Sequence, residues 1–213
     1  MAERNDRGSA DLDAATARTA GAYGARADEY IAAVGRIGHV AEPDLALVRE
    51  WALGIAGPLL DVGCGPGQWT RYLAELGADA RGVDPSPEFL ARARSDAPGV
   101  RFRLGAAERL GGRDASIGGV LAWYSLIHTP PEHIAAPLAE FARVLRRGGG
   151  LALGFFAGSE LAPFDHAVAT AYFWPPQLLT TELAAAGFTV ARVETRHDPG
   201  ARPHGAILAV RDG

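Results

Sequence analysis

The sequence predicts an α/β fold: a doubly wound, mostly parallel sheet of seven strands with an antiparallel last strand, and helices on both faces. Three observations carry that expectation. Short apolar runs alternate with helical patterns between residues 58 and 156. A glycine-rich loop, Gly63-Cys64-Gly65-Pro66-Gly67, joins the first of those runs to a helix. The last two strand-like runs are separated only by residues 197–205. That is too short for a parallel crossover, which needs a dozen or more residues, so the final strand should run antiparallel to its neighbour.

The elements follow in order. Residues 1–11 are polar and read as a frayed start. Residues 12–34 are Ala-rich, with Tyr23, Tyr30, Ile31 and Val34, and read as one or two helices interrupted near Gly21 and Gly24. Pro43 and Asp44 open a clearer helix, Leu45 to Leu53, whose apolar residues recur at helical spacing. Strands are expected at 58–62, 79–83, 100–104, 117–123 and 151–156. Between them come helices over 67–76, over 87–95 with Ser86 as its cap and Pro87 at its first position, and over 131–145. Arg146-Arg147 followed by three glycines gives that last helix a stop signal. A helix over 176–186 and strands over 188–195 and 206–210 complete the chain. There is no internal repeat and no linker, so residues 1–213 read as a single domain, with 1–40 as a partly flexible N-terminal helical lid.

Composition narrows the function. The chain has 213 residues and a net charge of -4, and its 21 basic residues are all arginine. No run of arginines supplies the basic face that gripping RNA or DNA requires, so the expected partner is a small molecule, with no nucleic acid and no membrane. One cysteine, Cys64, excludes an internal disulfide and a multi-cysteine zinc site. No apolar signal segment and no run of 18 apolar residues is present, so a cytoplasmic chain, monomer or homodimer, is the default.

The loop Asp61-Val62-Gly63-Cys64-Gly65-Pro66-Gly67 is the most informative stretch. Glycines there remove Cβ atoms, so that a ligand can lie against the backbone at the carboxyl ends of the strands. A dinucleotide G-x-G-x-x-G would need glycine at Gln68 or, one register on, at Thr70, and both fail. No G-K-[ST] ending marks a nucleoside-triphosphate loop. The pattern resembles motif I of the class I S-adenosylmethionine (AdoMet)-dependent methyltransferases, in the D-x-G-C-G-x-G variant of small-molecule enzymes. The resemblance runs along almost the whole chain and is weakest over residues 1–40. It implies the methyltransferase form of the Rossmann-like sheet, with AdoMet as cofactor, S-adenosylhomocysteine (AdoHcy) as product, and backbone contacts at Asp61, Gly63, Cys64, Gly65 and Gly67.

Asp84 ends the second strand, where a carboxylate can accept both hydroxyls of a ribose; the plainer role is a turn or cap residue. By resemblance Asp84 binds the ribose diol and Pro85 packs on the adenine. After the third strand the family's G-D-A-x-x-L becomes Gly105-Ala106-Ala107-Glu108-Arg109-Leu110, with Ala106 at the usual acidic position. Glu108 or the backbone at Ala107 would then meet the adenine amino edge, unless Glu108 is a solvated cap. The backbone at Trp123 would meet the methionine part. The segment Trp123-Tyr124-Ser125-Leu126-Ile127-His128 lacks the [DNS]-P-P-[YFW] sequence of enzymes acting on nucleic-acid amino groups or a protein glutamine.

Methyl transfer needs an in-line nucleophile, exclusion of water, and a base only where the acceptor must lose a proton. His128 is the candidate base; its alternative role is to order the loop before Pro130-Pro131. His39, His133, His166 and His204 have weaker claims. No Asp/His/Cys set has metal spacing, so no metal is expected. Tyr124, Phe156, Tyr172 and Trp174 are candidate acceptor-pocket aromatics, with core packing as the other reading. Tyr23 and Tyr30 face either the pocket or the sheet. The expected function is methyl transfer to an O or N atom of a small molecule. The alternatives are an AdoMet-binding regulator or partner subunit and, with charge against it, an RNA methyltransferase.

Overall fold

A central sheet divides the molecule into two apolar layers. The structure, a computed structural model, describes residues 2–213. Its elements are α1 (Ala2–Ala25), α2 (Ala27–Val34), α3 (Glu42–Leu53), β1 (Leu59–Val62), α4 (Gln68–Glu75), β2 (Ala80–Asp84), α5 (Pro87–Asp96), β3 (Arg101–Leu104) and β4 (Ile117–Trp123). They continue with α6 (Ala135–Val144), β5 (Leu145–Ala157), β6 (Ala162–Asp165), β7 (Thr170–Trp174), α7 (Pro176–Ala185), β8 (Phe188–Arg196) and β9 (His204–Arg211).

The parallel part runs β3-β2-β1-β4-β5, so strand order reverses between β1 and β4. A ligand crevice opens beyond the carboxyl ends of such a pair. Strand β9 runs antiparallel to β5 and to β8, and sits between them. The alternation of each strand separates the layers. Leu60, Val62, Val120, Ala122, Leu151 and Leu153 face Leu138 and Phe141 of α6 and Leu179 and Leu183 of α7. Leu59, Leu121 and Ala152 face Val48 of α3 and Trp69 and Leu73 of α4.

All seven expected strands form, and two more join them. Strands β6 and β7 make a hairpin, and β7 pairs parallel with β5 through Phe156↔Phe173 and Ala157↔Trp174. Phe156 pairs with His204 of β9 on its other side, so β7 occupies the side of β5 that β4 holds further back. This corrects the reading of Tyr172 and Trp174 as pocket residues. Trp174 is 3% exposed and belongs to the core, and Tyr172 packs against that core. A strand pairing onto the sheet buries that aromatic surface, worth about 1.5–3 kcal/mol for a large apolar side chain.

Three helix boundaries also move. Gly21 and Gly24 do not interrupt α1; the break falls at Arg26, and α1 begins at Ala2, taking in the stretch read as frayed. Gly24 serves close approach instead, since a Cβ there would lie 2.7 Å from a carboxylate oxygen of Glu88 on α5. The helix expected over 131–145 splits into a 3₁₀ turn, Pro131–His133, and α6. Strand β5 then starts at Leu145, so the Arg-Gly stop signal lies within the strand's irregular entry, where Gly148 has φ +71°.

Candidate active site

The carboxyl ends of β1, β2 and β4, with α1 and the last two strands, enclose a cavity of about 570 Å³. That lies within the roughly 300–1,000 Å³ of small-molecule sites. One end is built on the glycine loop. Gly63, Gly65 and Gly67 all have positive φ (+69°, +54° and +83°), but for different reasons. At Gly63 a Cβ would lie 2.3 Å from the Cβ of Ser125, and at Gly67 2.9 Å from that of Ala93. Gly65 faces open space, with nothing within 4 Å of where a Cβ would stand. Gly63, Cys64 and Gly65 line the cavity; Gly67 does not, and packs on α5 and β3 instead. The Cys64 thiol also turns away, into a small cluster with Leu90, Ala93 and Phe102, where burial pushes it up.

Asp84 sits beside this loop, 6% exposed. The Gly65 amide donates to its Oδ2 and the Ser86 amide to its Oδ1, each at 2.8 Å. Each oxygen keeps a further lone pair for a ligand. Burial raises Asp84 to about 6, against the lowering effect of those two amides. Asp61, deeper, accepts from the Thr70 hydroxyl at 2.6 Å, and burial raises it to about 7. Pro85, Ala107, Glu108 and Trp123 line the same cavity. Glu108 is no free cap: the Thr16 hydroxyl of α1 donates to it at 3.1 Å.

Helix α1 forms a wall through Leu12, Ala15, Thr16, Thr19, Ala20 and Tyr23. Asp13 pairs with Arg109 at 2.5 Å, and the Arg26 guanidinium donates to the Ala167 carbonyl in the β6–β7 loop. Tyr23 and Tyr30 pack on each other and on Phe89, with ring centroids 5.1–5.7 Å apart, beside Asp84. Burial raises both phenols, Tyr30 to about 12.

The other end carries the histidines. His128 Nδ1 lies 2.8 Å from the Thr170 carbonyl, which can only accept, so Nδ1 bears the proton. Burial lowers the pKa of His128, so Nε2 presents a lone pair; the Tyr23 hydroxyl donates to it at 2.9 Å. The His166 ring is 5.1 Å from that of His128, and burial holds His166 down at about 4. Tyr124, Phe156, His39 and His204 also line the cavity, whereas His133 does not. Sequence reasoning missed Gln68, Ser125, Asp44 and Arg196. Arg196 reaches Asp198 at 2.6 Å and Asp44 at 2.7 Å, and the second pairing spans 152 residues, so no local pattern announces it. Among the described residues no group of three His, Cys, Asp or Glu is placed to hold a metal ion. No described helix is long and apolar enough to cross a membrane.

The cavity fits an adenosyl cofactor on its own chemistry. It offers a fixed carboxylate, an open glycine, and two buried polar atoms without partners among the described residues, Gln68 Oε1 and Ser125 Oγ. Fold and site thus define a Rossmann-like domain built around a nucleoside-sized ligand.

Comparison with known proteins sharpens that class. The methyltransferase-domain family matches residues 59–149. An uncharacterised methyltransferase of Synechocystis sp. is 33% identical over 163 residues, covering 68% of this chain and 73% of that protein. A demethylmenaquinone methyltransferase of Chlorobaculum parvum is 38% identical over 92 residues, covering 43% of this chain and 37% of that protein. Among solved structures, the 1,6-didemethyltoxoflavin N1-methyltransferase of Burkholderia thailandensis, with bound 1,6-didemethyltoxoflavin and AdoHcy, superposes with a TM-score of 0.69 at 26% identity, covering 81% of this chain and 78% of that one. The chain belongs to the class I AdoMet-dependent methyltransferases, and it is an enzyme of that kind.

Proposed function

We propose that the chain transfers a methyl group from AdoMet to an oxygen or nitrogen atom of a small molecule, with His128 as the general base. The observation that carries the cofactor half is Asp84, whose two oxygens are each oriented by a backbone amide at the cavity wall. In this reading Asp84 accepts the ribose hydroxyls, Gly63, Cys64 and Gly65 offer backbone, Pro85 flanks the adenine, and Ala107 and Glu108 meet its amino edge. Asp61 and the backbone at Trp123 face the methionine part. AdoMet, when bound, supplies a sulfonium methyl that leaves with no electrons, the S–C pair staying on sulfur as the acceptor's lone pair forms the new bond.

The protein's share is positioning, exclusion of water and proton transfer. Well-oriented reactants can account for roughly 7–11 kcal/mol of barrier. His128 is held in one tautomer by Thr170, and its Nε2 can take the proton the acceptor loses. A general base of this kind contributes roughly 10²–10⁴-fold. Residues 1–213 act as a single domain in this reading, with 1–40 as a lid whose Thr16 and Tyr23 touch both ends of the cavity. The demethylmenaquinone and 1,6-didemethyltoxoflavin methyltransferases are named for small-molecule acceptors, which supports the same class of acceptor here.

The test is transfer of labelled methyl from AdoMet into a pool of small hydroxylated and aminated metabolites. Labelled product is expected from the wild type. His128→Ala should keep AdoHcy binding and lose about 10²-fold or more in turnover. Unchanged turnover would assign His128 to loop order alone.

A further inference from the structure

The acceptor end of the cavity holds two histidines, each held at Nδ1 by a different kind of partner. His128 carries its proton on Nδ1, facing the Thr170 carbonyl, and exposes a lone pair at Nε2. A phenolic hydroxyl, that of Tyr23, already donates to that lone pair at 2.9 Å. His204 instead faces a hydroxyl. The Tyr124 hydroxyl lies 2.6 Å from its Nδ1. Burial raises the Tyr124 phenol, so it keeps its proton, and Nδ1 is its one hydrogen-bond partner among the described residues. With the hydroxyl donating to Nδ1, the single proton of the neutral ring sits on Nε2. Burial also lowers the pKa of His204, which favours the neutral ring. His204 Nε2 has no partner among the described residues, and His204 lines the cavity.

The backbone supports this arrangement. Tyr124 has φ +58°, a region that bulky residues rarely adopt and that clusters at functional sites. Its amide donates to the Gly154 carbonyl at 3.1 Å, and its ring lies over Gly154, where a Cβ would come within 3.1 Å of it. Between the two histidines lie aromatic rings. Phe156 is 6.1 Å from His204 and 6.3 Å from His166, which is 5.1 Å from His128. Ser125 Oγ and His166 Nδ1, like Gln68 Oε1, are buried polar atoms of cavity-lining residues with no partner among the described residues.

We propose that His128 and His204 are the two poles of the acceptor site, and that they select a flat conjugated ring with a hydroxyl at one end and a carbonyl oxygen at the other. The hydroxyl takes the place of the Tyr23 hydroxyl at His128 Nε2. The carbonyl accepts from His204 Nε2, and Tyr124 is the positioning residue that keeps the proton there. The ring lies along Phe156, where offset or edge-on aromatic contacts favour a planar system. This deepens the methyltransferase reading and rests on it.

The test is calorimetry on AdoHcy-loaded protein with three probes of similar size: 7-hydroxycoumarin, coumarin and 2-naphthol, at a pH where the hydroxyls are protonated. Coumarin lacks the hydroxyl and 2-naphthol lacks the carbonyl. Each missing hydrogen bond should cost roughly threefold to tenfold, so 7-hydroxycoumarin should bind tightest. His204→Phe should erase its advantage over 2-naphthol and keep its advantage over coumarin. His204→Gln, whose amide N–H falls near the lost Nε2–H, should restore the first advantage. Equal binding of the three probes would overturn the inference while the cofactor reading stood, as would a His204→Phe protein that still prefers 7-hydroxycoumarin to 2-naphthol. Failure of AdoHcy to bind the wild type would overturn both.

Discussion

Gly63 and Gly65 stand two residues apart in one loop and have opposite surroundings. An alanine at Gly63 would place its methyl 2.3 Å from Ser125 Cβ, whereas at Gly65 the methyl would enter the cavity without touching protein. Both positions have positive φ, so both substitutions carry backbone strain of roughly 1–3 kcal/mol. Gly63→Ala adds a clash that the β1 and β4 ends must absorb. Gly63→Ala should therefore melt well below Gly65→Ala, while Gly65→Ala should stay folded and lose AdoHcy binding. Thermal melting and calorimetry on the two proteins check this; equal melting points with intact binding in both would contradict it. The loop's glycines were legible in the sequence because close backbone approach has few other solutions. Their division of labour was not, since it depends on Ser125 and Ala93, which lie far along the chain. The same holds for Asp84. Its place was legible, but the amides of Gly65 and Ser86 that aim its oxygens needed the fold.

Elements with a clear period were read correctly, and those without one were missed. The β1-to-β5 alternation showed because buried parallel strands are short apolar runs between helices. The β6–β7 hairpin hid because Ala162-Pro163-Phe164-Asp165 is only four residues long and carries a proline. Thr170-Ala-Tyr-Phe-Trp174 is rich in strand-forming residues and is followed by two prolines, a signal that could have marked β7. The N-terminal helices showed the opposite problem: glycine suggested breaks that the backbone does not make, because Gly24 meets Glu88 instead. Helix α1 touches the cavity through Thr16, Tyr23 and neighbours and is tethered by surface contacts such as Asp13–Arg109, so it should open more readily than the sheet. Hydrogen exchange over residues 10–33 is expected to slow several-fold when AdoHcy is added, with β1 and β4 little changed. Exchange in that helix indifferent to AdoHcy would contradict its proposed role as a lid.

Across the whole molecule, the site's buried carboxylates set a pH dependence of stability. Asp61 stands at about 7 and Asp84 at about 6, both raised from 3.8 by burial. A carboxyl whose folded pKa is raised stabilises the fold fully below its unfolded value, and that contribution is lost as pH climbs through the folded value. The ligand-free protein should lose this contribution between about pH 4 and 7. Asp61→Asn, which cannot ionise, should gain stability relative to the wild type as pH rises across that window in denaturant unfolding. A difference independent of pH would contradict the assignment. A net charge of -4 and a basic complement without clusters agree with a small-molecule enzyme. In the proposed site, this cavity holds an adenosyl cofactor on Asp84. Calorimetry with AdoHcy on the wild type and on Asp84→Ala, both shown folded by thermal melting, tests it most directly. Loss of the charged hydrogen bonds, about 1.5–3 kcal/mol, should weaken binding roughly tenfold to hundredfold. Unchanged affinity in Asp84→Ala would contradict a ribose contact at this carboxylate.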